Sequence, residues 1–164
     1  AISDLLLPPS PDGDENLKAE GIPDSKIKLV GNVMIDSLLR NLQIAEKSTV
    51  RQDLDLTEKD YAVLTLHRPS NVDDKDVFSG LIAALLSISE KLPIIFPAHP
   101  RTRGRIEEFG FTEKVERSNI KLIEPLGYLD FMRLYSGAKL VLTDSGGLQE
   151  ETSQAHGLVP FDLA

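Results

Sequence analysis

Residues 62–71 read Ala62-Val63-Leu64-Thr65-Leu66-His67-Arg68-Pro69-Ser70-Asn71. Five largely apolar residues run into a polar turn, too short for a helix and without the alternation of a half-exposed strand. They read as a strand covered on both faces. In the following segment, 75–91, and just past its end, the residues Val77, Phe78, Leu81, Leu85, Ile88 and Leu92 fall at three- and four-residue intervals, one apolar helical stripe with Asp73 as its expected cap. Ile94-Ile95-Phe96-Pro97-Ala98 then repeats the strand pattern. Strand, amphipathic helix, strand is a βαβ unit, and such units build parallel sheets.

Outward from this unit the alternation continues. Strands are expected at 4–7, 27–30, 62–66, 94–98, 120–123 and 140–143, and helices at 14–20, 33–46, 75–91, 103–109, 128–136 and 147–155. Gly21 and Gly110 stand where a helix C-cap takes positive φ. The segment 47–61 reads as a polar loop with a short helix. Right-handed crossovers leave few arrangements for so many βα units, and the expected fold is a doubly wound parallel α/β sheet in one Rossmann-like lobe over residues 1–164. The chain does not start with Met, and no closing element is expected after Pro160, so it reads as a piece of something longer at both ends.

Composition narrows the function classes. With 18 Lys+Arg against 26 Asp+Glu the net charge is −8, and 41% of the 164 residues are hydrophobic and 27% charged. A chain of this size buries roughly 70% of its unfolded surface and needs no disulfide or metal to hold a core. The acidic balance argues against nucleic acid and anionic membranes as partners. No apolar run approaches the ~20 residues of a membrane span, and a cytoplasmic setting is the default. Cysteine is absent, which removes thiol catalysis and Cys-based zinc sites. His67, His99 and His156 are too dispersed for a metal site, and His156 reads as a structural or exposed imidazole. Asp53, Asp55, Glu58 and Asp60 read as a solvated acidic loop. Neither a metal nor a cofactor is expected.

In doubly wound sheets ligands bind beyond the carboxyl ends of the strands. Those ends carry His67-Arg68-Pro69-Ser70-Asn71, then His99-Pro100-Arg101-Thr102-Arg103, then Asp144-Ser145-Gly146-Gly147. Two histidines and three arginines on one edge make an anion pocket, with Arg103 also readable as a solvated first-turn residue. Ser145-Gly146-Gly147 ends a strand and opens a helix, where unpaired backbone N–H groups meet a ligand with no Cβ in the way. The motif is neither a dinucleotide fingerprint nor a P-loop. Glu150 and Glu151 lie in the first turns, favoured by the dipole, and one of them suits a pair of sugar hydroxyls.

Three patterns in this order carry a resemblance: Gly31-Asn32-Val33-Met34-Ile35-Asp36, Leu66-His67-Arg68-Pro69-Ser70-Asn71, and Leu142-Thr143-Asp144-Ser145-Gly146-Gly147-Leu148-Gln149-Glu150-Glu151. Together with Phe96-Pro97-Ala98-His99-Pro100-Arg101 and the stretch from Glu124 to Phe131, they resemble the C-terminal half of the non-hydrolysing UDP-N-acetylglucosamine 2-epimerases, enzymes of the two-lobed glycosyltransferase B-type fold. The resemblance implies a UDP-sugar substrate and service in cell-surface polysaccharide biosynthesis. It places His67 beside the diphosphate as the catalytic residue, with Arg68, His99 and Arg101 in the same pocket. Ser145, Gly146 and Gly147 would cradle the phosphates, Glu151 would hold the ribose hydroxyls, and Phe131 would lie near the uracil. The implied reaction eliminates UDP to a glycal and re-adds it with C2 inverted, this lobe stabilising charge on the departing diphosphate.

The departures are equally specific. The family's acid/base carboxylates for the C2 proton come largely from an N-terminal lobe, which precedes Ala1 and is the implied partner. A family Arg-containing loop would fall beyond Ala164, two residues stand between Gly157 and Pro160 where the family has one, and Leu126 stands where some members place a polar residue near the uracil. The implied behaviour is UDP binding without epimerisation by this chain alone. A glycosyltransferase lobe and a non-catalytic nucleotide-binding fragment stay open as alternatives, as does a homodimer formed over apolar surface. A hydrolase triad of Ser145, His67 and Asp144 is discounted, because Asp144, next to Ser145 in sequence, is expected to be poorly placed to orient a distant imidazole.

Overall fold

The structure, a computed structural model, describes residues 3–56, 60–154 and 160–163. It forms two compact units, Ala1–Asn41 and Leu42–Ala164. In the first, helix α1 (Pro11–Ala19) starts at Ser10, whose hydroxyl accepts from Gly13 N at 3.3 Å, with Pro11 where a missing N–H costs nothing. It closes through Glu20 onto Gly21 at φ 81°. The expected strands 4–7 and 27–30 shrink to a single parallel bridge, Leu6 to Ile27. Leu5, Leu7, Leu29 and Val30 stay 42–54% exposed. Apolar runs become covered strands only with neighbours on both sides, and among the described residues these two have only each other. The division between the units falls within α2 (Val33–Ala45), where Asn32 accepts from Met34 N at 2.9 Å.

The second unit runs α3 (Val50–Asp53), β1 (Ala62–Thr65), α4 (Pro69–Val72), α5 (Lys75–Ser89), β2 (Ile94–Pro97), α6 (Pro100–Glu108) and α7 (Thr112–Glu116). It continues through β3 (Ile120–Ile123), α8 (Tyr128–Ser136), β4 (Leu140–Thr143), α9 (Gly146–Gln154) and β5 (Pro160–Asp162). The five strands are parallel in the order β3-β2-β1-β4-β5. This is the expected doubly wound sheet, without the two expected strands of the first unit and with three elements that were not expected, the short helices α4 and α7 and the strand β5, which pairs with β4 at the end where no closing element was expected. Its proline opens an edge strand, where a missing donor is tolerated. Ala62, Leu64, Ile94 and Phe96 are buried, as strands covered on both faces require.

The chain steps outward from β1 to β3 and returns to the far side of β1. With right-handed crossovers, the first connections cover one face and α8 the other. Helix α5 buries Phe78, Ile82 and Leu85, and Phe109 and Phe111 meet Phe78 edge-on at 5.8 and 6.0 Å. The expected stripe needs two corrections. Val77 is 46% exposed while Ile82 is buried. The cap is Asp74, accepting from Asp76 N and Val77 N at 2.9 and 3.0 Å. The short α4 ends on Asp73, which moves the next helix start along by one and releases Asp73 for another role. Among the described residues no helix is long and apolar enough to cross a membrane.

Candidate functional site

The direction of the chain reverses between β1 and β4, and the crevice at such a switch point is where open α/β sheets bind ligands. A cavity of about 400 Å³ lies at the carboxyl ends of these strands. Thr65 and His67 reach it from β1, Pro97, His99 and Arg101 from β2, Phe131 from α8, and Ser145 and Leu148 from the mouth of α9. Five of the nine residues singled out from the sequence therefore line one cavity. Arg68, Gly146, Gly147 and Glu151 do not line it.

Parallel pairing sets Thr65 opposite Thr143, their hydroxyls 2.7 Å apart, and so sets the residues after them side by side. Asp144 is fully buried. Its Oδ2 accepts from His67 N (2.9 Å), Arg68 N (2.7 Å) and Asn71 Nδ2 (3.3 Å). Oδ1 lies 3.0 Å from His67 Nδ1. The expectation that Asp144 is poorly placed to orient an imidazole is therefore wrong: it neighbours Ser145 in sequence but faces across to β1. The triad still lacks its first link, since among the described residues Ser145 Oγ makes no hydrogen bond to His67. That hydroxyl instead accepts from Leu148 N at 3.5 Å.

Helix α9 opens at Gly146, directly after Ser145, whose own N–H donates to Thr143 Oγ1 at 2.9 Å. First-turn amides have no partner within their helix, and while that of Leu148 reaches Ser145 Oγ, those of Gly146 and Gly147 suit an anion. A Cβ placed on Gly146 would meet only Arg68 Nη2, 4.0 Å away. The Arg68 guanidinium thus lies over the helix mouth although it stands outside the cavity wall.

His99 caps α6, its Nδ1 accepting from Arg101 N at 3.3 Å. Thr102, fully buried, ties the same helix to the end of β1 through a 2.8 Å bond to the carbonyl of Leu66. Arg101 pairs with Asp73, as does Arg105 at 3.2 Å. Partial desolvation pushes the Asp73 carboxyl up, but the two guanidinium groups outweigh it and hold it below the ordinary carboxylate range. Arg103 pairs with Glu124 at 3.2 Å and takes no part in the cavity.

Glu151 lies farther into α9, where its Oε2 accepts from Tyr135 Oη at 3.1 Å. Tyr135 is fully buried, and its ring meets Phe131 edge-on at 5.4 Å. Burial, and then the Glu151 charge, push its phenol well above the ordinary range. Tyr135 thereby connects the two residues expected at the two ends of a nucleoside. Sequence reasoning missed it, although its position one turn beyond Phe131 on α8 is a legible signal.

A second cavity of about 290 Å³ is lined by Asp53, Glu124, Leu126 and Asp130 among others. Leu126 belongs there and not to the first cavity. Asp60 of the acidic segment pairs with Lys139 at 2.6 Å. His156, Gly157 and Glu58 lie outside the described residues. Among the described residues no three His, Asp or Glu side chains converge as a metal site would need.

A family model described as UDP-N-acetylglucosamine 2-epimerase matches residues 1–158. A UDP-N-acetylglucosamine 2-epimerase of Methanococcus maripaludis is 45% identical over 157 residues, which cover 92% of this chain and 43% of that protein. A UDP-2,3-diacetamido-2,3-dideoxy-D-glucuronate 2-epimerase of Pseudomonas aeruginosa is 40% identical over 154 residues, covering 92% of this chain and 41% of that protein. The solved structure of the Methanocaldococcus jannaschii UDP-GlcNAc 2-epimerase, in complex with UDP-GlcNAc and UDP, matches at a TM-score of 0.83 and 37% identity, over 99% of this chain and 51% of that one. The chain spans less than half the length of these curated relatives.

Proposed function

The chain belongs to the UDP-N-acetylglucosamine 2-epimerase family, and on that premise we propose that it is the UDP-binding lobe of an enzyme interconverting UDP-GlcNAc and UDP-ManNAc in the cytoplasm. The observation that carries the reading is the cavity at the β1/β4 switch point, where His67, His99, Arg101 and the mouth of α9 converge. A diphosphate fits these groups: amides and imidazoles donate to it, the helix dipole favours it, and Arg101 and Arg68 offset its charge. Phe131 offers an apolar face to the base, and Glu151, held by Tyr135, suits the ribose hydroxyls.

In this reading the bond between the anomeric carbon and the β-phosphate oxygen breaks, and the bond's electron pair leaves with UDP. The C2 proton goes to a carboxylate of an N-terminal lobe, which is the proposed partner. The glycal so formed takes UDP back after C2 is reprotonated on the opposite face. This chain contributes donors preorganised for the charge that builds on the leaving diphosphate. The exposed Leu5, Leu7, Leu29 and Val30 fit an apolar surface that the N-terminal lobe covers, and that forms homodimers in the isolated chain.

Calorimetric titration with UDP, and with uridine as the phosphate-free control, tests the reading. UDP is expected to bind well above uridine, without interconversion of UDP-GlcNAc and UDP-ManNAc by this chain alone. Equal binding of UDP and uridine, or of neither, contradicts it.

A further inference from the structure

The two histidines of the cavity are held by opposite kinds of partner. His99 Nδ1 accepts a backbone N–H, that of Arg101, at 3.3 Å. A neutral imidazole that accepts at Nδ1 carries its proton on Nε2. That contact leaves Nε2 as the donor of the His99 ring. His67 Nδ1 faces the buried carboxylate of Asp144 at 3.0 Å. Oδ1 of that carboxylate is buried and makes no hydrogen bond among the described residues, its 3.0 Å contact with the ring included, while Oδ2 is occupied by the amides of His67, Arg68 and Asn71. A buried carboxylate oxygen demands a donor, and among the described residues the ring nitrogen that faces it is His67 Nδ1.

The geometry assigns Asp144 as a positioning residue for the diphosphate site: it fixes His67 with the proton on Nδ1 and presents Nε2 to the cavity as the nitrogen that takes up a proton when the diphosphate arrives. This inference rests on the proposed UDP-binding role of the cavity. It goes beyond that role by separating the two histidines. A lone pair on Nε2 repels a phosphate oxygen, so His67 meets the diphosphate as the imidazolium, which Asp144 compensates from the Nδ1 side. His67 then donates a charge-assisted hydrogen bond from Nε2 as the leaving oxygen gains charge. His99 cannot do the same without setting an Nδ1 proton against the Arg101 N–H. One carboxylate performs both tasks here, clamping the turn after β1 by its backbone and orienting the ring that the turn carries.

The substitution Asp144→Asn separates these tasks. The amide keeps a carbonyl oxygen for the backbone donors, but turns an NH2 toward the ring and forces the His67 proton onto Nε2, as when the carboxylate of a catalytic triad is amidated. The experiment is long-range ¹H–¹⁵N spectroscopy of the imidazoles in the whole chain, free and with UDP. In the free wild-type protein, with the rings neutral, His67 is expected to carry its proton on Nδ1 and His99 on Nε2. With UDP, His67 is expected to be protonated on both nitrogens while His99 is unchanged. In Asp144→Asn, His67 is expected to carry its proton on Nε2 and to stay neutral with UDP, and UDP affinity is expected to fall about tenfold, the difference between a charge-assisted and a neutral hydrogen bond.

A proton on Nε2 of His67 in the free wild-type protein overturns the inference, and this measurement needs no variant to fold. An unchanged His67 tautomer in a folded Asp144→Asn protein also overturns it. Failure of the wild-type chain to bind UDP, with the Nδ1 tautomer present, overturns the UDP-binding reading and leaves the Asp144–His67 arrangement standing.

Discussion

Gly146 separates what the fold needs from what the ligand needs. Its φ is not positive, and a Cβ built on it has a single neighbour, Arg68 Nη2 at 4.0 Å, an ordinary van der Waals distance. Nothing among the described residues therefore requires glycine there, and Gly146→Ala is expected to fold at least as well. The gain is between zero and about 1 kcal/mol, from helix propensity and a less free unfolded chain. The new methyl fills the space between the helix mouth and the Arg68 guanidinium, where a phosphate oxygen bonded to both would sit. Loss of one hydrogen bond to a charged group costs about 1.5–3 kcal/mol. UDP affinity should then drop roughly tenfold or more, with uridine affinity unchanged. Urea unfolding and calorimetric titration of the same preparation read both quantities. An alanine protein that binds UDP like the wild type, or that is destabilised by more than about 1 kcal/mol, refutes the reasoning.

Three further outcomes are expected. Tyr135→Phe keeps the ring against Phe131 and removes the donor to Glu151; because Glu151 is only partly buried and water replaces the bond, the cost to stability is about 1 kcal/mol by urea unfolding, and UDP affinity also falls. Tyr61, Tyr128 and Tyr135 all have phenols raised above the ordinary value of 10.0, chiefly by burial. Their native state holds protons that the unfolded chain releases, so this share of stability is complete below pH 10 and is lost progressively above it; a stability that rises with pH there contradicts the assignment. The Asp73 carboxyl lies below its ordinary 3.8, so its pairing with Arg101 and Arg105 contributes fully above that value and is lost as pH falls through the lowered one, which carboxyl NMR titration checks.

The parts of the fold that rest on period were legible. Strands β1 to β4 and helix α8 lie where apolar runs and stripes place them, because burial on both faces leaves a continuous apolar signature. Residues 4–7 and 27–30 carry the same signature without becoming sheet strands, since period reports what a segment can cover and not whether anything covers it. Strand order is not written in any local pattern. That gap hid the Asp144–His67 pair, which exists only because β4 docks beside β1 and aligns Thr143 with Thr65. Asp73 was misread for a related reason: a carboxylate ahead of a helix looks like a cap, and its true partners, Arg101 and Arg105, come from the next βα unit. His67, His99, Arg101 and Ser145 were legible as a group because one rule, that ligands meet the carboxyl ends of strands, selects them all, whereas Phe131, inside α8, was singled out only by the family resemblance.

The most direct test of the central claim is the crystal structure of the chain with UDP. The β-phosphate is expected at the mouth of α9, within hydrogen-bond distance of the Gly146 or Gly147 amide and of His67 Nε2, with the ribose toward Glu151 and the uracil near Phe131. UDP bound elsewhere, or a phosphate at the helix mouth with His67 turned away from it, contradicts the account.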